Sequence, residues 1–134
     1  MRHSAQESAC KALNPSWVIR ETPFTTMTVN YNVCGAVHKD AGDFKDGMGI
    51  ITCHRRGVYR GGVLGFPEYG LGVELFDRDL LFFNPHDWHG VTDFVDAQDG
   101  FERISVVYYM RADMAKCGSP EEELERVRLQ KGAI

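Results

Sequence analysis

The sequence predicts a mainly β domain of the jelly-roll sandwich or barrel kind. From Trp17 onward, short runs of β-branched and aromatic residues are broken about every ten residues by clusters of Gly, Pro, Asn and Asp. Only the segment after Ser119 reads as firmly helical. A chain of 134 residues holds one domain with one modest core, so the runs must all pack around it. An immunoglobulin-like sandwich competes on strand count but leaves the polar residues discussed below unexplained.

Taken in order, residues 1–16 form an N-terminal extension with a short helix over 4–13. The β domain occupies 17–118. Its strands are expected over 24–33, 49–55, 62–66, 70–75, 80–84, 89–92 and 103–111, where Val, Ile, Thr and aromatic residues concentrate. Between them lie turn signals: Gly61-Gly62, Pro67-Glu68-Tyr69-Gly70, Asp77-Arg78-Asp79 and the stretch 96–100. The tail, 119–134, begins with Ser119 as N-cap, Pro120 at the first helical position and Glu121 and Glu122 in the first turn, the order a helix start requires. Its run of acids reads as a solvated helix face. The sixteen residues before Trp17 offer little helical cover, so a homo-oligomer or a partner is expected over one sheet face.

Composition excludes several function classes. Apolar runs such as Leu80-Leu81-Phe82-Phe83 are far too short to span a membrane, and the N-terminus lacks the apolar core of a secretory signal, which leaves the cytoplasm as the default. Cys10, Cys34, Cys53 and Cys117 form no Cys-x-x-Cys pair and no zinc-like spacing, so free thiols are expected. A net charge of −4 provides no global field for nucleic acid. The one dense basic cluster, His54-Arg55-Arg56 with Arg60, is either a solvated turn or a phosphate contact.

The residues that suggest chemistry are polar and ordered. Val37-His38-Lys39-Asp40 follows the first strand, and side chains at i and i+2 of an extended segment can turn toward one metal. Such a His-x-Asp is common by chance. It gains weight from Asn84-Pro85-His86-Asp87-Trp88-His89-Gly90, where a second histidine follows one apolar run and opens another strand. Two histidines and a carboxylate on one side of the coordination sphere, with the other positions open, are the ligand set of non-haem Fe(II) oxygenases. His89 is the expected ligand, because Gly90-Val91-Thr92 continues as a strand; His86 is read as a hydrogen-bonded loop residue. Arg103 then stands in an otherwise aromatic and β-branched last strand. An inward guanidinium there needs an anion, and the far carboxylate of 2-oxoglutarate suits its bidentate fork. Ser105 shares its face and adds a donor. Alternatively, Arg103 faces solvent and pairs with Glu102 or a loop acid.

The stretch from Trp17 to Gly118 resembles the TET/JBP family of 2-oxoglutarate oxygenases, particularly compact phage and bacterial members. The matching segments include His38-Lys39-Asp40-Ala41-Gly42-Asp43, Gly61-Gly62-Val63-Leu64-Gly65-Phe66-Pro67-Glu68-Tyr69, Asp87-Trp88-His89-Gly90-Val91-Thr92 and Glu102-Arg103-Ile104-Ser105-Val106-Val107-Tyr108-Tyr109. The resemblance implies a cupin-like double-stranded β-helix that hydroxylates the 5-methyl group of a pyrimidine, 5-methylcytosine or thymine, in nucleic acid. It implies iron at His38, Asp40 and His89, 2-oxoglutarate at Arg103, Asn30 in the pocket, dioxygen as oxidant and ascorbate as an assisting reductant. A base inside a duplex cannot reach such a site, so it must flip out or be single-stranded. Trp88 and Tyr69 are candidates to stack on it, and Arg55 and Arg56 to contact phosphates. The competing readings are an oxygenase of this fold acting on a small molecule or protein side chain, and a non-catalytic jelly-roll binding module. Indifference to DNA would favour the first; failure to bind Fe(II) would favour the second.

Overall fold

A computed structural model describes residues 2–132, and its strands follow the expected alternation. One antiparallel sheet has the order β1 (Thr26–Tyr31), β10 (Glu102–Tyr109), β3 (Gly49–Arg56), β7 (Leu80–Phe83). The other has the order β2 (Gly35–His38), β8 (His89–Val91), β5 (Leu64–Phe66), β6 (Leu71–Val73). A two-stranded ribbon of β4 (Arg60–Gly61) and β9 (Phe94–Val95) extends one end. Two four-stranded sheets around one core make this a double-stranded β-helix.

Period-two alternation explains the core. On β3, Ile51 and Cys53 turn inward, where they pack with Leu64 and Phe66 of β5, Leu75 and Phe83. Burying each of Ile51, Leu64 and Phe83 contributes roughly 1.5–3 kcal/mol. Phe83 also meets the His89 ring edge-on at 5.2 Å between centroids, so the core is the floor on which the polar site rests.

All seven expected strands form, with ends within two residues of those read from the sequence. The differences have local causes. The first strand stops at Tyr31 because Asn32 takes φ 49. There the Asn32 side chain accepts from Arg103 N at 2.7 Å and donates to the Phe101 carbonyl at 3.1 Å. The chain is thereby released into the second sheet as β2, a strand the sequence reading did not separate. The Gly61-Gly62 turn signal is in part a strand, since Gly61 pairs with Phe94. Its φ of +78 and its approach to the Asp93 carbonyl oxygen both exclude a side chain.

Helix α2 (Pro120–Gly132) starts as predicted, with a reciprocal cap: Ser119 N donates to Glu122 Oε2 at 2.6 Å and Glu122 N to Ser119 Oγ at 3.3 Å. Helix α1 (Arg2–Lys11) does not roof a sheet. It is tied down at an edge, where Gln6 Nε2 donates to the Pro23 carbonyl and Met48 N donates to Gln6 Oε1, both at 2.8 Å. The outer face of the first sheet therefore presents Met27, Val29, Tyr31, Leu80 and Phe82, each 51–58% exposed, beside Ile104, Val106 and Tyr108.

Candidate active site

Strands β2 and β8 bring two histidines together. His38 and His89 are register partners across this antiparallel pair, so both side chains leave one face, with ring centroids 4.5 Å apart. Asp40, two residues beyond, lies between them: its Oδ1 is 3.4 Å from His38 Nε2 and its Oδ2 is 3.5 Å from His89 Nε2. One ligand atom from each residue lies within 4.8 Å of the other two. Gly90 permits the close crossing of the strands, since a Cβ there would sit 2.9 Å from the Gly35 carbonyl oxygen and 3.0 Å from Val37 N.

Each imidazole is aimed by its other nitrogen. His38 Nδ1 donates to the Ala36 carbonyl at 2.9 Å and His89 Nδ1 to the Asp87 carbonyl at 2.8 Å. A carbonyl only accepts, so Nδ1 carries the hydrogen; Nε2 then offers its lone pair to a metal in the neutral ring and donates to Asp40 only when the ring is protonated. The hydrogen bond from His89 holds the Asp40 carboxyl below its ordinary value against the opposing effect of burial. Burial pulls the His89 imidazole down, but Asp40 and the Asp87 carbonyl outweigh it and leave its pKa raised. His86 stays out of the group, with Nε2 directed at the Phe44 carbonyl, 3.3 Å away.

Arg103 lies on the inner face of β10 and is 2% exposed, so the alternative in which it faces solvent does not hold. Its Nη2 is buried with no hydrogen-bond partner. A guanidinium in that position is stable only if an anion reaches it. Ser105, two residues on, is also buried. It lines a cavity of about 280 Å³ together with Thr28, Asn30, Leu64, Phe83, Val107 and Tyr109, and the three residues around Asp40 open onto the same space.

Two further residues at this cavity carry charge, Arg111 and Asp43, and the sequence reading gave Asp43 no role. Asp43 is buried and its pKa is pushed up to about 6, first by burial and then by the charge of Asp40. Arg111 Nη1 stands 3.7 Å from it, over Gly42, where a Cβ would meet the guanidinium at 2.5 Å. The available signal was position alone, because Asp43 closes the turn that begins at Asp40, its N–H donating to the Asp40 carbonyl at 3.2 Å.

The residues expected to meet substrate are placed differently. Trp88 is 43% exposed beside the metal loop, with Lys39 Nζ 5.2 Å from its ring centroid; Tyr69 lies on the turn after β5. Neither lines the cavity. Arg55 does not present its guanidinium to phosphates. It shares the inward parity of Ile51 and Cys53, donates to Glu74 Oε1 at 3.0 Å, and stacks between Tyr59 and Phe76. Arg56 is exposed and is the register partner of Glu102, three residues along β10 from the cavity-lining Ser105, a distance of roughly 10 Å. Neither Arg55 nor Arg56 lines the cavity, whereas Lys39 stands between the cavity-lining His38 and Asp40, and Lys45 follows the cavity-lining Asp43 by two residues.

Comparison with known proteins adds a second, independent line. The chain is 34% identical over 115 residues to a protein named thymine dioxygenase JBP1 from Leishmania tarentolae, covering 84% of this chain and 14% of that one. It is 32% identical over 120 residues to the bifunctional helicase and thymine dioxygenase JBP2 of Trypanosoma brucei brucei, covering 90% of this chain and 11% of that one. This chain therefore spans only a small part of the relatives it matches. A solved structure of NgTET1 in complex with 5mC DNA shares the fold, with a TM-score of 0.71 at 16% identity over 93% of this chain and 50% of that one. Residues 3–112 match the model of the oxygenase domain of the 2OGFeDO superfamily. With that match over most of its length, the chain belongs to the Tet_JBP family of oxygenase domains.

Proposed function

We propose that this oxygenase domain hydroxylates the 5-methyl group of a pyrimidine in DNA, using Fe(II) held by His38, Asp40 and His89 and 2-oxoglutarate anchored by Arg103. The observation that carries it is a single cavity with a two-histidine, one-carboxylate group at its rim and a buried guanidinium lacking an anion behind it. The residues fit the implied groups: both Nε2 atoms are free to ligate, and Arg103 Nη2 is an unused donor in a shielded place.

When bound, iron and 2-oxoglutarate activate dioxygen, inserting one oxygen atom into a substrate C–H bond while the other leaves in succinate, with release of carbon dioxide. The protein supplies position and dryness. His38, Asp40 and His89 would hold the metal, and the cavity they line would leave room for cosubstrate and oxygen. Arg103 and Ser105 fix the cosubstrate's far end. Leu64, Phe83 and Val107 exclude water, while Asn30, Asp43 and Arg111 bring hydrogen-bonding groups to the wall that a flipped-out base would meet.

The substrate half of the proposal rests on the relatives, named thymine dioxygenases, and on the structural neighbour bound to 5mC DNA. Incubating the protein with thymine-containing and 5-methylcytosine-containing oligonucleotides, Fe(II) and 2-oxoglutarate, followed by nucleoside mass spectrometry, should show a pyrimidine that has gained one oxygen. The rate should fall with salt. Joint replacement of Lys39 and Lys45 by Ala should flatten that dependence by up to about two phosphate contacts, whereas replacing Arg56 should leave it unchanged. A salt-independent rate, or succinate formation without any modified nucleoside, would retain the oxygenase and remove DNA as its substrate.

The apolar outer face of the first sheet supports the expected self-association. Sedimentation at tens of micromolar should find species heavier than a monomer, and Val29→Asp should return them to monomers. A monodisperse wild-type monomer would leave that face without a role.

A further inference from the structure

Two buried polar side-chain atoms lack a hydrogen-bond partner among the described residues: Arg103 Nη2 and the Tyr59 hydroxyl. Both lie beside the β4–β9 ribbon, where Phe94 packs against Tyr59 and stands with Arg103 at Gly62. Tyr59 is 6% exposed and follows β3. Its ring carries the Arg55 guanidinium 4.4 Å from the centroid, and Arg55 is the register partner of Arg103. Phe94 and Phe101 hold the other sides of the ring, at 5.4 and 5.2 Å between centroids. Phe94 in turn flanks Arg103: a Cβ built on Gly62 would touch Phe94 Cε1 at 2.5 Å and Arg103 Cδ at 3.3 Å. The charge of Arg103 is felt at the Tyr59 phenol.

An isolated unsatisfied hydroxyl in a core is a cost with no return, and phenylalanine would serve the packing better. Two unsatisfied donors in one dry corner share a simpler explanation, an acceptor with two oxygens. Arg55 donates through Nη1 to Glu74 and to the Leu75 carbonyl at 3.2 Å and also acts on the phenol, but a guanidinium only donates and so cannot accept the Tyr59 hydrogen. Burial also pushes the Tyr59 phenol up, so it keeps its proton, and with it its donor capacity, at neutral pH.

We propose that the Tyr59 hydroxyl is a second donor to the far carboxylate of 2-oxoglutarate, one oxygen taking Arg103 and the other Tyr59, with Arg55 and the two phenylalanines holding the ring in place. This rests on the cosubstrate reading given above and names a residue it does not include.

The test uses the full chain loaded with Mn(II), so that binding is read without turnover. Tyr59→Phe keeps the ring and its stacking and removes only the hydroxyl. Calorimetric titration with 2-oxoglutarate should show affinity roughly ten- to a hundredfold weaker, the effect expected for one hydrogen bond to a charged group. Oxalate, which can chelate the metal but lacks the far carboxylate, should bind wild type and variant equally. The melting temperature of the ligand-free variant should rise, and the increment produced by 2-oxoglutarate should shrink. Unchanged 2-oxoglutarate affinity in Tyr59→Phe alongside a large loss in Arg103→Met overturns the role of Tyr59 and spares the cosubstrate site. Unchanged affinity in both variants overturns the two together. Equal weakening for 2-oxoglutarate and oxalate also overturns the proposal, since the damage would then lie at the metal.

Discussion

Replacing His89 by alanine should abolish Fe(II) binding and turnover, while replacing His86, three residues earlier, should leave metal affinity within a few-fold. His89 contributes one of only three ligand atoms, and its imidazole is fixed on three sides: Nδ1 by the Asp87 carbonyl, the ring edge by Phe83, and Nε2 by Asp40. Losing a mere hydrogen-bonding partner of a ligand commonly costs about 10–100-fold in affinity, and losing the ligand itself costs more. His86 instead ties the 84–87 turn to the Phe44 carbonyl. Its removal should therefore appear in stability, at roughly 0.5–1.5 kcal/mol, rather than in metal content. Metal binding should also strengthen as pH rises through the range just above the ordinary histidine value. Ligation needs a neutral imidazole, and the Asp40 contact leaves His89 holding its proton longer than usual. Calorimetric titration of Fe(II) or Mn(II) into the wild type and both variants reads all of this. A dispensable His89 with an essential His86 would move the ligand to the other histidine.

The strands and the order of the site were legible because period two is a local signal and survives in a single sequence. What failed needed long-range information or a rule not carried through. Strand β2 shows no alternation, since Gly35, Ala36, Val37 and His38 are all exposed, and it exists only because Asn32 turns the chain toward β8. Asp43 and Tyr59 look ordinary in sequence. The burial of one depends on a bridge to Arg111 and that of the other on Phe94 and Phe101, all distant along the chain. Arg55 is the instructive failure, because parity with Ile51 and Cys53 on the same strand already predicts that it points inward. Read as part of a basic cluster, it suggested phosphates; read as a strand position, it belongs against Tyr59 and Phe76.

Arg103→Ala should raise the 2-oxoglutarate concentration needed for half-saturation by one to several orders of magnitude and leave metal affinity intact. Arg103 is among the largest fully buried side chains of the described residues, and an uncompensated cation in such a place is costly. Asn32 accepts from its backbone N–H, which fixes the strand but does nothing for the guanidinium. The site is therefore preorganised at a cost that a bound carboxylate repays, and a charge-assisted pair shielded from water contributes roughly 2–4 kcal/mol. Because alanine leaves a void, Arg103→Met provides the volume-matched control and should lose the same affinity. Arg103→Lys keeps the charge but not the planar fork and should fall between the two. Both Ala and Met should leave Mn(II) titration unchanged, since Arg103 is not one of the three metal-facing residues and does not itself line the cavity, as Ser105 does. An unaltered 2-oxoglutarate titration in Arg103→Met would place the anchor elsewhere, with Arg111 at the cavity wall as the remaining guanidinium. That outcome would also reverse the direction in which the cosubstrate lies, toward Asp43 rather than toward Arg103.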